Sequence, residues 1–255
     1  MIDLNKYTTD EGVVLLSPVR NDFENLYIKL REKERRVYSD EEVKHLPFAN
    51  PSNPHKNEWQ LRAKSFIRFK EYLQKKNENL NILDLGCGNC WFCGQLSKTL
   101  NHNYFCVDVN LCELKQGRRV FISNQLKVLY ADIFTAQFPS STFDLIIINS
   151  AIQYFSNMKN LIDRLISLIK ENGEIHFIDS PFYNKPEIEN AQKRTSDYYK
   201  NLGFPEMSNH YFHHSYDEIS SYKYNLFYNP RSFKTKLSKI FRSNDSPFPW
   251  IVINK

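Results

Sequence analysis

The chain has 255 residues, of which 41% are hydrophobic and 25% charged, a globular balance that excludes disorder as its main state and provides for one well-buried core with additions. Its net charge of +5 is carried by residues 231–255, where Arg231, Lys234, Lys236, Lys239, Arg242 and Lys255 stand against Asp245, so composition argues only weakly for a nucleic-acid partner, and none is expected. No apolar run approaches the roughly 18 residues of a membrane span, and the polar start MIDLNKYTTDEG lacks the features of a secretory leader, so a cytoplasmic location is expected.

Residues 1–57 are too long for a tail. Phe23, Leu26, Tyr27 and Leu30 recur at helical spacing, which predicts a helix whose outer face, residues 29–36, mixes acids and bases. Ser39 followed by Glu42 has the form of a capping box and opens a second, short helix. Pro47, Pro51 and Pro54 then impose a loop to about residue 55. Trp59, Ala63, Phe66, Ile67 and Leu73 mark an amphipathic helix that feeds the first core strand. The expected division is an N-terminal helical extension at 1–57, either a lid over the site or a cover for the edge or back of the sheet, and a main domain at 58–255.

The centre of the chain is residues 81–94, NILDLGCGNCWFCG. Residues 81–85 form an apolar run of the length of a buried parallel strand, and it stops at Gly86. Gly86 and Gly88 allow a tight turn against a ligand, and a helix is expected over 91–100. A dinucleotide fingerprint needs a small residue at position 91, where this chain has Trp91, so NAD and FAD are disfavoured. Further strands are expected at 105–108, ending in Asp108; at 128–130, followed by Ala131-Asp132-Ile133-Phe134; at 143–149; and at 174–179, introduced by Asn172-Gly173. Cysteines stand at 87, 90, 93, 106 and 112. That odd, clustered set argues against a disulfide framework. Cys87-x-x-Cys90-x-x-Cys93 has metal-ligand spacing, with Cys106 or Cys112 for a fourth thiolate, but Cys93 on a helix reads equally as a small buried hydrophobe, and no metal is expected.

This succession of strands, glycine turn and acids resembles the class I S-adenosylmethionine-dependent methyltransferases over roughly residues 79–180, nearest to the methyltransferase type 11 or ubiquinone-biosynthesis-like group. The resemblance implies a Rossmann-like α/β fold, a seven-stranded, mostly parallel sheet flanked by helices, with residues 222–228 and 250–253 as a closing antiparallel pair. It implies S-adenosylmethionine as cofactor, held by Asp84, Gly86, Cys87 and Gly88, by Asp108 and Val109 at the ribose, by Asp132 at the adenine amino group with Ile133 or Phe134 beside the ring, and by Asn149. The family commonly has a third glycine at the position of Cys90, so this side chain is expected to crowd the methionine portion, which suggests as an alternative a non-catalytic cofactor-binding protein.

The loop 149–155 is expected to face the transferred methyl group, because ligands of open α/β sheets sit beyond the carboxyl ends of the strands. It lacks the paired prolines with which adenine and glutamine amino methyltransferases hold a planar amide or amine. Helices are expected over 157–171 and 187–202, the second stopped by Gly203 and Pro205. His213 and His214 are candidate bases for a hydroxyl acceptor, with Tyr154 as a positioning group. Residues 233–242 form a basic amphipathic pattern, read as an ordinary crossover helix or, less simply, as a contact for an anionic membrane surface. The expected activity is methyl transfer to a small molecule or a metabolite-sized headgroup.

Overall fold

A computed structural model of the protein describes residues 2–76, 79–232 and 245–255. The basic pattern at 233–242 lies outside the described residues. Among the described residues, nine strands form one sheet. They are β1 (Thr9–Asp10), β2 (Val13–Leu15), β3 (Asn81–Leu85), β4 (Asn103–Asp108), β5 (Leu126–Tyr130), β6 (Phe143–Asn149), β7 (Ile169–Ile178), β8 (Tyr224–Tyr228) and β9 (Trp250–Asn254). Their order is β1-β2-β5-β4-β3-β6-β7-β9-β8. Pairing is parallel from β2 through β7 and antiparallel at β1–β2, β7–β9 and β9–β8.

The seven expected strands are therefore joined by a further hairpin, which corrects both the strand count and the purely helical reading of residues 1–57. Glu11 and Gly12 both have positive φ, the requirement of a tight hairpin turn. Val14 and Leu15 of that hairpin then lie beside Leu129 and Tyr130, extending the sheet past β5. The N-terminal part also holds two helices joined by turns and loops: α1 (Asn21–Lys33), and α2 (Asp40–His45) with the Ser39–Glu42 capping box formed.

Five more helices follow: α3 (Lys56–Leu73), α4 (Trp91–Ser97), α5 (Leu111–Val120), α6 (Met158–Leu168) and α7 (Ile188–Leu202). The last ends on Gly203 in the left-handed conformation, a common helix stop. Helix α6 is shorter than expected. Buried Ile169 pairs with Phe143, and the register shifts before Glu174 meets Leu145, so the strand expected at 174 begins five residues earlier, with Asn172 at φ +62° between. Among the described residues no helix is long and apolar enough to cross a membrane.

Side chains alternate across the sheet, and both faces are covered. Leu83 and Leu85 join Val107, Ile146, Ile148 and the α6 residues Leu161, Ile162 and Leu165 in one layer. Ile82, Cys106, Val128 and Ile147 join Phe66, Phe69, Phe92 and Leu96 in the other. Asp84, two residues from Ile82 and paired with Cys106, falls on the second face, beside α4. That helix packs closely: a Cβ at Gly94 would lie 2.4 Å from Cγ of Phe121, which is itself 3% exposed. Gly94→Ala is expected to cost about 1–3 kcal/mol through overpacking, read as a lower urea midpoint with an unchanged slope.

Candidate active site

A cavity of about 460 Å³ opens beyond the carboxyl ends of β3, β4, β5 and β6. Its floor is the turn after β3, and its opposite wall is built from α1, the segment after it and α3, which contribute Phe23, Tyr27, Arg31, Arg36, Tyr38, Trp59 and Arg62.

The floor has little steric freedom. Gly86 has φ +75°, and a Cβ there would lie 2.4 Å from that of Ala151, so no other residue fits. The amides of Gly86 and Cys87 donate to the carbonyl of Val107 at 2.8 and 3.2 Å, pinning the turn to β4. Cys90 also has a positive φ, +61°, at the start of α4, which accounts for the preference for glycine there. Its thiol does not crowd the site, contrary to expectation. Cys90 is fully buried, its Sγ lies where a Cβ on Gly117 would be only 2.7 Å away, and it is not among the residues lining the cavity. Gly117 on α5 makes the room. The sulfurs of Cys87, Cys90 and Cys106 lie within 4.8 Å of one another, as do the ligand atoms of Asp84, Cys93 and Cys106, while Cys112 is exposed.

Carboxylates gather on the sheet side. Asp84 is 1% exposed, and among the described residues neither of its oxygens has a hydrogen-bond partner. Burial, then Cys106 beside it, pushes its carboxyl well above the usual range. Asp108 is held by backbone: Oδ2 accepts from Gly88 N–H at 2.8 Å, and Oδ1 from Val109 and Asn110 N–H at 2.7 and 2.9 Å. Burial raises its pKa against the pull of these donors.

Asp132 donates its amide to Ser17 Oγ at 2.9 Å, accepts from the Phe134 amide at 3.0 Å and lies 3.6 Å from Arg20. Ile133 beside it is buried, and Phe134 is half-exposed with its ring 6.3 Å from that of Phe155. Val109 is partly exposed at the rim, and Asn149 is buried with an unpartnered Oδ1 among the described residues. All of these line the cavity, so the structure brings every expected cofactor residue to one place. It adds Glu113, missed in the sequence although the Asn110–Glu113 spacing is a capping signal. Asn110 Oδ1 accepts from the Glu113 amide at 3.0 Å and its Nδ2 donates to Glu113 Oε2 at 3.1 Å.

Among the expected catalytic residues, Tyr154 lines the cavity and its hydroxyl accepts from Arg31 Nη2 at 2.7 Å. The two histidines do not line it. His213 Nε2 lies 2.9 Å from Thr195 Oγ1, and His214 is buried with Nε2 3.1 Å from the Ile152 carbonyl and Nδ1 3.3 Å from Glu218 Oε1. His210 and Phe212 face the cavity instead. Extended backbone at Tyr211 alternates the side chains of this stretch, and His213 falls with Tyr211, their rings 5.2 Å apart, on the other side.

The family described as a methyltransferase domain matches residues 76–244. An uncharacterised methyltransferase of Mycobacterium tuberculosis is 27% identical over 94 residues, 37% of this chain and 47% of the relative, so the chain spans about half the length of that relative. Phosphoethanolamine N-methyltransferase of Plasmodium falciparum is 27% identical over 183 residues, 69% of this chain and 65% of the relative. The solved geranyl diphosphate C-methyltransferase of Streptomyces coelicolor superposes with a TM-score of 0.58 at 12% identity, covering 93% of this chain and 98% of its own. That likeness is one of fold.

The site carries a titration signature. Burial and the neighbouring Asp108 charge push Glu113 from its ordinary 4.5 up to about 7. The folded state therefore holds this proton across a window in which the unfolded chain releases it, so Glu113 makes stability fall as pH rises from about 4.5 to about 7, with no further change above. Glu113→Gln is expected to flatten that decline in the ligand-free protein, measured as melting temperature against pH.

Proposed function

The chain belongs to this methyltransferase family, and we propose that it transfers a methyl group from S-adenosylmethionine to a small-molecule acceptor. One observation carries the reading: a buried carboxylate, Asp84, without a hydrogen-bond partner among the described residues, lies under a glycine turn too tight for any side chain at Gly86, both lining one cavity. An uncompensated carboxylate of this kind calls for a cationic ligand, and the cofactor's methionine portion carries an ammonium group. Asp84, Gly86, Cys87 and Gly88 would hold that portion, Asp108 and Val109 the ribose, Asp132 with Ile133 and Phe134 the adenine, and Asn149 the wall beside the sulfonium. Asp108 suits this task because three amides fix its orientation before any hydroxyl arrives.

When bound, the cofactor supplies an electrophilic methyl carbon. The chain's work is to orient the acceptor, exclude water and, for a hydroxyl acceptor, remove a proton. Tyr154, braced by Arg31, is the positioning group. The role of base moves from His213 and His214 to His210, the histidine that lines the cavity. Residues 1–57 serve as the lid, since α1 and the segment after it wall the site. The cavity volume, and the small acceptors named for the Plasmodium and Streptomyces proteins, support an acceptor of metabolite size.

Asp108→Ala is expected to weaken S-adenosylhomocysteine binding about 10- to 100-fold by calorimetry, the size of a lost charged hydrogen bond or two; unchanged affinity would refute the cofactor assignment. Against a panel of hydroxyl acceptors, His210→Ala is expected to lower kcat by about 10²-fold or more, while His213→Ala leaves it near wild type.

A further inference from the structure

We propose that the acceptor carries an oxyanion, a carboxylate or a phosphate, seated on Arg31 beside Tyr27 and Tyr154. The inference deepens the methyltransferase reading and rests on it.

Charge in the cavity is unevenly distributed. Asp84, Asp108, Asp132 and Glu113 lie on the sheet side, with Arg20 beside Asp132; the N-terminal wall supplies Arg31, Arg36 and Arg62, and its one lining acid, Glu24, accepts from the Cys112 amide at 2.8 Å. Behind that wall stand two carboxylates. Arg31 Nη1 meets Glu34 at 2.6 Å, Arg36 reaches Glu58 at 2.6 Å and Glu34 at 3.6 Å, and Arg62 meets Glu58 at 2.9 Å. Three guanidinium groups, with side chains only 20–23% exposed, thus share two carboxylates in the contacts among the described residues. Arg36 Nε is buried without an acceptor there. A partly desolvated surplus of positive charge costs free energy until an anion arrives.

Within the cluster, Arg31 is the group placed for the acceptor. Arg36 and Arg62 are tied to Glu58, and Arg62 stacks on Trp59, whose ring contacts that of Trp91 at 5.4 Å, in the first turn of α4. They belong to the cofactor turn, where the methionine portion and its own carboxylate would lie. Arg31 is on the side of Tyr154, in the loop after β6 assigned to the reacting centre. Its guanidinium lies over the Tyr27 ring at 4.6 Å and donates to Tyr154 Oη at 2.7 Å. Glu34 and Tyr154 each engage one of its terminal nitrogens. The flat fork has five N–H donors, so donors remain for a second, two-point contact of the kind carboxylates and phosphates accept. Phe23 and Tyr27 flank this corner with rings 6.2 and 5.9 Å from Tyr154, and Tyr211 packs behind Tyr154 at 6.2 Å; their low polarity strengthens any charge-assisted bond formed there.

The test uses the 255-residue chain saturated with S-adenosylhomocysteine, titrated in separate arms with phenyl phosphate, with phenylacetate and with neutral benzyl alcohol. At least one oxyanion is expected to bind and the alcohol not; the two charged arms distinguish phosphate from carboxylate. Arg31→Met is expected to weaken the oxyanion at least about 10-fold, and Arg31→Lys to keep part of the affinity, since the charge remains and the fork is lost. Both variants should keep S-adenosylhomocysteine affinity within about 2-fold, which also shows that they are folded. Oxyanion binding that is absent, or indifferent to Arg31→Met, overturns the proposal while cofactor binding leaves the methyltransferase reading standing. A parallel loss of S-adenosylhomocysteine affinity overturns it as well, by assigning Arg31 to the cofactor. Failure of the wild type to bind S-adenosylhomocysteine removes both.

Discussion

The site depends on one carboxylate that strand geometry forces out of water. Asp84 is the only acid in β3, a strand paired on both sides and buried on both faces. Its neighbours Leu83 and Leu85 pack toward α6, so alternation sends Asp84 toward α4, near Cys93 and Cys106, and among the described residues neither of its oxygens is within hydrogen-bonding geometry of a donor. In an apolar setting such a group stays protonated unless a cation is brought to it. Beside the tight turn at Gly86 and Gly88, Asp84 meets the cavity, which gives a ligand an approach to it. A ligand that is cationic beside Asp84 and rich in hydroxyls beside Asp108 matches these donors and acceptors group by group.

The opposite wall is the complementary half of the same arrangement. Loops and N-terminal additions carry specificity in folds whose strands serve many chemistries. Here the carboxylate side is built from strand ends, whereas the arginine and tyrosine side is built from α1, the segment after it and α3. Ion pairs between Arg31, Arg36, Arg62, Glu34 and Glu58 tie that wall together, three guanidinium groups to two carboxylates in the contacts among the described residues. Such partly buried pairs contribute little to stability once desolvation is counted, so their value lies in orientation.

How much of this was legible in the sequence follows from how local each signal is. The strand at 143–149 and the capping box at Ser39 are set by neighbouring residues, and both form where expected. The acids were legible because Asp84 stands two residues before the glycine turn, while Asp108 and Asp132 close apolar runs. The hairpin of β1 and β2 was not, because strands of two and three residues carry no periodicity. The fate of Cys90 depended on Gly117, distant in sequence and adjacent in space. Arg31 read as part of a solvated helix face, since helical spacing reveals which side is polar but not that another wall stands opposite. For the same reason the sequence does not show which histidine of 210–214 lines the cavity: His210 does and His213 and His214 do not, because packing sets which way each side chain of the stretch turns.

The account is tested most directly by calorimetric titration of S-adenosylhomocysteine into Asp84→Asn. This substitution keeps the shape of the side chain and removes the capacity to be charged. If Asp84 is the buried anion that receives the cofactor's ammonium group, affinity falls by about 10-fold or more, while the ligand-free variant melts no lower than wild type because no desolvated acid is left to bury. Affinity equal to wild type would contradict the account and leave the carboxylate without a role in binding.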